Sequence, residues 1–496
     1  MTHPQDWIGA ADPAAMFLSL WRYVNRMARD RLANFTPAPS DFGQSLAAYL
    51  ARDQGAAAVE GICQALADEW PTSERFTDGR IRAGLALCAM QAIDAELIAL
   101  HPRSVALAVR RMPSWLDDVR DRRTRSGEFA RDENLSLIPR GPLMRAPRAA
   151  LEEATFVLGD QFGALKVVDL ASFEEDGRKL SVGIHVVDQS VDRGVPARRD
   201  RRGSEMVSFV PLAEATDDLI AEITHDGATT FIDVSKGPGF EPANLMAAAC
   251  IDCADSDIVV APELTVDADD VQKIAAALVG MVGLRPRLVV AGSGLSEARG
   301  PQSDLPYNEA VILNGNGARL WAHRKIAAYD MPEETAAGLN LPDPGGSKRF
   351  MERIAWSDSI TIADVDGLGR CLVLICQDLM MASVPALLDA FRPDWLLVPI
   401  LDTGTALVRW PAQRARELAA AVETRFVVVS SLTMKAWSRT PYPGEEMGVA
   451  IGPKRINRGD KADDMPARQA QVSPLDATHR YATIRWRSAT GWSPYS

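Results

Sequence analysis

Three residues able to perform nucleophilic chemistry each follow an apolar, strand-like segment. Glu263 ends DIVVAPE, Lys325 follows ARLWAHR, and Cys376 ends CLVLIC. Side chains at the ends of buried strands lie at the mouth of a sheet, where α/β enzymes place their active sites. A carboxylate can take a thiol proton, and an ammonium favours the thiolate and later the oxyanion. We also expect a tight turn after Cys376 to aim backbone N–H groups at the same point.

Each of these residues taken alone also has a structural interpretation. Cysteine is among the most frequently buried residue types, so a single Cys at a strand end is more often part of the core than a catalyst. Cys371, within the same segment as Cys376, is such a case. The joint occurrence of all three residues therefore carries the catalytic prediction.

The segments around these residues resemble the nitrilase, or carbon–nitrogen hydrolase, superfamily from about Thr229 to Thr433. The matches are APE with Glu263, YNEAVILNGNGARLWAHRK with Lys325, and LICQD with Cys376. Their order agrees with the family's Glu–Lys–Cys triad, and their separations of 62 and 51 residues are compatible with it. Four further segments are also similar to the family: VVAGSGLSE, DWLLVPI, ARELAAAVETRFVVVSS and GVAIGPKRINRGD.

The resemblance implies a four-layer αββα sandwich and an amidohydrolase that needs no cofactor or metal. Cys376 attacks an amide carbonyl or nitrile carbon, Glu263 acts as general base and acid, and Lys325 stabilises the tetrahedral intermediate. Water then hydrolyses the thioester. Family members also keep a second glutamate after the lysine, for which Glu333 and Glu334 are the candidates. The resemblance further implies a small-molecule amide substrate and a homodimer or larger homo-oligomer.

Departures from the family pattern leave alternatives open. Gln377-Asp378 stands where nitrile-hydrolysing members carry Trp-Glu, which favours amides over nitriles. Lys325 is followed by IAAYDMP without the usual His-Leu pair. One alternative is a soluble N-acyltransferase, in which an amine replaces water as the acceptor. The other is a regulatory or scaffold protein with a gated or degenerate nitrilase domain.

Other motifs do not predict a metal or nucleotide site. Cys250 and Cys253 form a CxxC, but no second CxxC or nearby histidine accompanies it, so we interpret the pair as core. The six histidines show no HxH or HExxH spacing, and the sequence contains neither GxGxxG nor a P-loop.

The composition is that of an ordinary globular protein. The chain has 496 residues, of which 47% are hydrophobic and 24% charged, and its net charge is −12. This acidic balance argues against nucleic-acid binding, which normally needs a basic surplus. The sequence shows no signal-peptide pattern and no run of about 18 consecutive apolar residues. We therefore predict a cytoplasmic protein without membrane association.

The chain is predicted to have three parts. Residues 1–134 form a helical domain, with helices expected at 12–32, 46–70, 78–100 and 104–123. Residues 135–225 are a small β-rich segment or linker with short strands expected at 155–158, 165–170 and 180–187. Residues 226–496, in which strands and helices alternate, form the nitrilase-like domain. The helical part is expected to supply core and oligomer surface and is a candidate binding region for a protein partner.

Overall fold

The chain divides into an N-terminal and a C-terminal unit. The first comprises residues 1–172 and 184–186, and the second comprises residues 173–183 and 187–496. The computed structural model describes residues 3–27, 34–72, 75–100, 112–141, 157–187, 203–226, 229–279, 281, 286–301, 303–341, 349–422, 424–440, 446–452, 468–472, 481–487 and 491–494.

The N-terminal unit is mainly helical, as predicted. Asp12 caps the first helix by accepting a hydrogen bond from the Ala15 N–H (2.9 Å). In the part of this unit that the structure describes, helices and a small antiparallel sheet surround a core that contains Phe17 and Trp115. The helices span Pro13–Asn25, Ser40–Leu50, Gly55–Glu69, Phe76–Leu97 and Ser114–Ser126, and the strands span Ala130–Asp132, Leu135–Pro139 and Leu165–Asp169.

Three helix predictions in this unit need correction. The run predicted as a helix over 12–32 is helical only to Asn25, and residues 26 and 27 are not helical. The run predicted as one helix over 46–70 is two helices, because residues 51–54 form a turn between them. Within the span predicted as a helix over 104–123, residues 112 and 113 are not helical and a helix begins at Ser114, while residues 101–111 lie outside the described part of the chain. The apolar pattern alone did not mark these helix ends.

Among the described residues, one helix is long and apolar enough to span a membrane, judged by length and composition alone. It runs from Thr77 to Leu100, and 56% of its most apolar 18-residue stretch is buried inside the protein. The core helix of a soluble protein passes the same test, so this helix is weak support for a membrane span.

The C-terminal unit contains two seven-stranded mixed sheets. Sheet one consists, in spatial order, of Arg319–Arg324, Pro306–Leu313, Leu288–Arg299, Ile258–Val260, Met206–Phe209, Ala482–Arg487 and Gly491–Pro494. Sheet two consists of Arg468–Val472, Gly448–Gly452, Arg425–Ser430, Trp395–Ile400, Gly369–Val373 and Ser359–Val365, followed by the residues of the strand Ser181–Val187 that belong to this unit, 181–183 and 187. The central strands of both sheets are parallel and buried, which explains their continuous apolar sequences.

A four-stranded sheet three completes the C-terminal unit, together with a two-stranded hairpin. Sheet three consists of Asp330–Pro332, Arg349–Glu352, Thr229–Lys236 and Leu219–Asp226, and the hairpin of Glu174–Glu175 and Arg178–Lys179. The helices span Pro242–Asp252, Ala268–Val279, Glu333–Ala337, Val384–Phe391, Trp410–Ala421 and Thr433–Trp437. The first two share a buried apolar cluster with strands of sheet one.

The strands between residues 135 and 225 divide between the two units. Leu135–Pro139 pairs with Leu165–Asp169 in the N-terminal unit, whereas Met206–Phe209 lies inside sheet one. The strand expected at 155–158 is not formed where the chain is described, because Leu158 begins a short 3-10 helix. Short apolar runs indicate a strand without naming its partner, so the sequence could not assign them to a unit.

Candidate active site

Glu263 lies just beyond a central strand of sheet one, in a turn with constrained backbone. The strand Ile258–Val260 leads into this turn, and Leu264 adopts a left-handed φ of 57°. Gly292, with φ of 96°, packs against the Pro262 carbonyl so closely that a Cβ there would lie 2.5 Å from the oxygen. The Glu263 Oε2 accepts a hydrogen bond from the Leu401 N–H (2.9 Å). Backbone contacts on both sides therefore fix the direction of the carboxylate.

Lys325 follows the edge strand of sheet one and is almost completely buried. Its N–H donates to the Asn308 carbonyl (2.8 Å) on the neighbouring strand. Its Nζ lies 2.7 Å from Glu263 Oε1 and 2.5 Å from Glu352 Oε2. The ammonium is thus held between two carboxylates, and its side chain is only 1% exposed.

Glu352 and Asn308 complete the group around Lys325, and sequence reasoning did not single out either. The Asn308 amide nitrogen donates to Glu263 Oε1 and to Glu352 Oε1, each at 3.0 Å. Glu352 Oε2 also accepts from the Tyr329 N–H (3.1 Å). Glu352 lies on a short strand two residues after the buried Phe350. In a strand, residues two apart lie on the same face, so Glu352 shares the buried face of Phe350. This alternation was the one feature of the sequence that could have indicated a buried carboxylate here.

Cys376 begins a 3-10 turn that follows the strand Gly369–Val373 of sheet two. Its φ of 46° lies in the left-handed region, which non-glycine residues rarely adopt. Such strain is common where a nucleophile is presented on a sharp turn. The side chain is buried, and the charged groups that act on its thiol are Glu263 and Lys325.

The pKa values of both Cys376 and Glu263 are raised, mainly by burial. Burial, and then the Glu263 charge, raise the pKa of the Cys376 thiol well above its usual value, although Lys325 and the Leu401 N–H act in the opposite sense. Burial also raises the pKa of Glu263, against the effect of Lys325. Burial alone would lower the pKa of Lys325, but the two carboxylates outweigh it and raise the value. Burial therefore favours the neutral thiol, and Glu263 is the group that can take its proton.

Of the five predicted site residues, the structure brings together Glu263, Lys325 and Cys376. Glu333 and Glu334 are exposed in the first turn of the short helix Glu333–Ala337. The carboxylate that contacts Lys325 from beyond the triad is Glu352, which lies 27 residues after Lys325 in the chain.

The CxxC motif is part of the core, as expected. Cys250 and Cys253 are both buried as free thiols, and the Cys253 Sγ donates to the Ala249 carbonyl within its own helix. Burial raises the pKa of Cys253 to about 12. Among the residues described, no group of three His, Cys, Asp or Glu side chains is arranged to hold a metal ion.

No protein-family model matches this chain, and no curated protein matches it. Solved structures do match, and three of them are described next. A Saccharomyces cerevisiae member of branch 10 of the nitrilase superfamily is 15% identical, with 55% of this chain and 91% of that one covered and a TM-score of 0.34. An amidase variant from Nesterenkonia sp. AN1, carrying the acetamide moiety of fluoroacetamide on its active-site cysteine, is 15% identical over 58% and 92% (TM-score 0.36). A Helicobacter pylori carbon–nitrogen hydrolase is 12% identical over 54% and 86% (TM-score 0.34).

These TM-scores are too low to support a functional argument, which has to rest on the geometry of the site. Over somewhat more than half of its length, the chain matches solved structures of the nitrilase superfamily.

Proposed function

We propose that this chain is an amidohydrolase that cleaves a non-peptide C–N bond through a thioester on Cys376. The observation that supports this most directly is the contact of Lys325 Nζ with Glu263 (2.7 Å) and Glu352 (2.5 Å), with the Cys376 thiol beside Glu263. A nucleophile, a base and a cation are thus assembled in one water-poor site, where electrostatic stabilisation is strongest. We further propose that sheets one and two face each other as an αββα sandwich.

In the acylation step, Glu263 takes the Cys376 proton as the sulfur attacks the amide carbonyl carbon. The Lys325 ammonium stabilises the negative oxygen of the tetrahedral intermediate. Glu263 then returns the proton to the leaving nitrogen, the C–N bond breaks, and the acyl group remains on sulfur. Water, deprotonated by Glu263, attacks the thioester and releases the acid, and the proton returns to the thiol.

Glu352 has a different role from Glu263 in this cycle. Whenever Glu263 holds the proton it no longer balances the buried Lys325 charge, and a buried, unpaired ammonium is costly. Glu352 Oε2, at 2.5 Å from Lys325 Nζ, keeps the ammonium charged and in place throughout. Asn308 holds both carboxylates at fixed positions by donating to each.

The proposal is tested by incubating the full-length protein with aliphatic, aromatic and carboxylate-bearing primary amides. Ammonia release and an acyl mass increment on the Cys376 peptide are the expected results, and both should vanish in Cys376→Ala. Ammonia release that persists in Cys376→Ala, or acylation of the other cysteines alone, contradicts the proposal. Product formation that needs an added amine identifies the acyltransferase alternative. A Cys376 that no amide acylates in the folded chain favours the regulatory alternative.

A further inference from the structure

His323 and Asp378 form a second buried polar pair next to the triad residues in the chain. His323 Nε2 is 3.0 Å from Asp378 Oδ2, and the two side chains are 1% and 0% exposed. His323 lies two residues before Lys325, and Asp378 lies two residues after Cys376. The pair therefore joins the strand that carries the ammonium to the turn that carries the thiol.

Asp378 accepts hydrogen bonds from both of these segments. Its Oδ1 accepts from the N–H groups of Ile326 (2.9 Å) and Ala327 (3.0 Å), which follow Lys325 in the chain. Its Oδ2 accepts from the Ile375 N–H (3.1 Å), directly before Cys376, as well as from His323. Two backbone donors on one side and one on the other thus share a single buried carboxylate.

Among the residues that the structure describes, the His323 imidazole forms a hydrogen bond only with Asp378. Among the residues described, its Nδ1 has no hydrogen-bond partner. Because the carboxylate oxygen of Asp378 accepts the hydrogen bond, His323 Nε2 must be the donor. This hydrogen bond links a strand of sheet one to the turn that follows the strand Gly369–Val373 of sheet two.

From this geometry we infer that His323 and Asp378 are positioning residues that set the separation between the Lys325 ammonium and the Cys376 thiol. This inference rests on the proposed function, since the separation matters only if the two groups act on the same reacting atoms. Displacement of about 1 Å at a catalytic group is enough to reduce rates strongly.

The test measures the rate at which iodoacetamide alkylates Cys376 in the full-length protein, by peptide mass spectrometry from pH 6 to pH 10. The variants are His323→Leu, which removes the donor, His323→Gln, which keeps an N–H donor, and Asp378→Asn. The matched control is Asp364→Asn, which breaks the buried Asp364–Arg370 pair near the opposite end of the strand leading to Cys376. The charges that act on the Cys376 thiol are those of Glu263 and Lys325, and Glu352 acts on both of these groups. Tyr329 is influenced in turn, because burial and then the Cys376 charge raise its pKa to about 12.

We expect His323→Leu and Asp378→Asn to slow alkylation about tenfold at a given pH, because a displaced Lys325 no longer favours the thiolate. His323→Gln should stay within about twofold of the wild type. A folded His323→Leu that alkylates at the wild-type rate overturns the inference. So does a His323→Gln as slow as His323→Leu, or an Asp364→Asn that slows Cys376 equally.

A wild-type Cys376 no more reactive than buried Cys371 argues against the proposed function instead. Positioning is then judged by deuterium exchange of the segments 325–327 and 375–378. Faster exchange in Asp378→Asn than in Asp364→Asn supports it, and equal exchange overturns it. The two hypotheses can therefore fail separately.

Discussion

At the scale of single residues, the site depends on one buried ammonium shared by two carboxylates. Replacing Glu352 by Gln removes the charge that balances Lys325 while Glu263 is protonated. We expect Glu352→Gln to lower kcat about 10- to 100-fold, somewhat less than the loss of a full oxyanion-stabilising group. Steady-state kinetics on the amide identified by the screen measures this. Glu333→Gln and Glu334→Gln, which alter exposed carboxylates, are the controls, and a loss of kcat in either would restore the original expectation.

The expected pH dependence of kcat/KM follows from the raised pKa of Glu263. Because burial raises the pKa of Glu263, the carboxylate is lost at a higher pH than for an ordinary glutamate. Since the proposed mechanism requires the base form of Glu263, kcat/KM should fall as the pH decreases through a value above the usual glutamate pKa of about 4.3. A pH profile of kcat/KM tests this. An acid limb at or below the ordinary value would show that Glu263 is not the base.

At the scale of elements, the turn after Ile258–Val260 depends on Gly292. The residue has a φ of 96°, and an added Cβ would lie 2.5 Å from the Pro262 carbonyl oxygen. We expect Gly292→Ala to destabilise the fold by about 2 kcal/mol or more, through the left-handed backbone and the overlap. Urea unfolding measures the change. Gly183→Ala, with no atom within 4 Å of its Cβ position, is the control and should stay close to the wild type.

The sequence predicted the elements around the triad well, for a physical reason. The strands that precede Glu263 and Cys376 are buried on both faces, so their sequences are continuously apolar and end abruptly at a polar residue. The strand Arg349–Glu352 is short, and nothing in its local composition marks it as the element that returns to Lys325. Contacts between distant segments, including Asn308 with Glu352, depend on register, which periodicity does not encode.

At the scale of the whole molecule, the association state remains a prediction from the family resemblance. We expect a homodimer or larger assembly, so mass photometry should give a multiple of the 53.8 kDa chain mass. A single species at the chain mass, unchanged between nanomolar and micromolar concentration, would contradict this. The three-part division into residues 1–134, 135–225 and 226–496 likewise stays a prediction, because short apolar runs do not reveal the sheet to which they belong.

The left-handed backbone at Cys376 favours a different residue for stability than the proposed chemistry does. At a φ of 46°, glycine is the residue that the backbone alone would favour, and any other side chain costs about 1–2 kcal/mol. Of two thiol-free variants, Cys376→Gly should therefore melt at a higher temperature than Cys376→Ala. On the proposed function, the cysteine is kept at a cost in stability, and stability engineering guided by the backbone alone would remove the nucleophile.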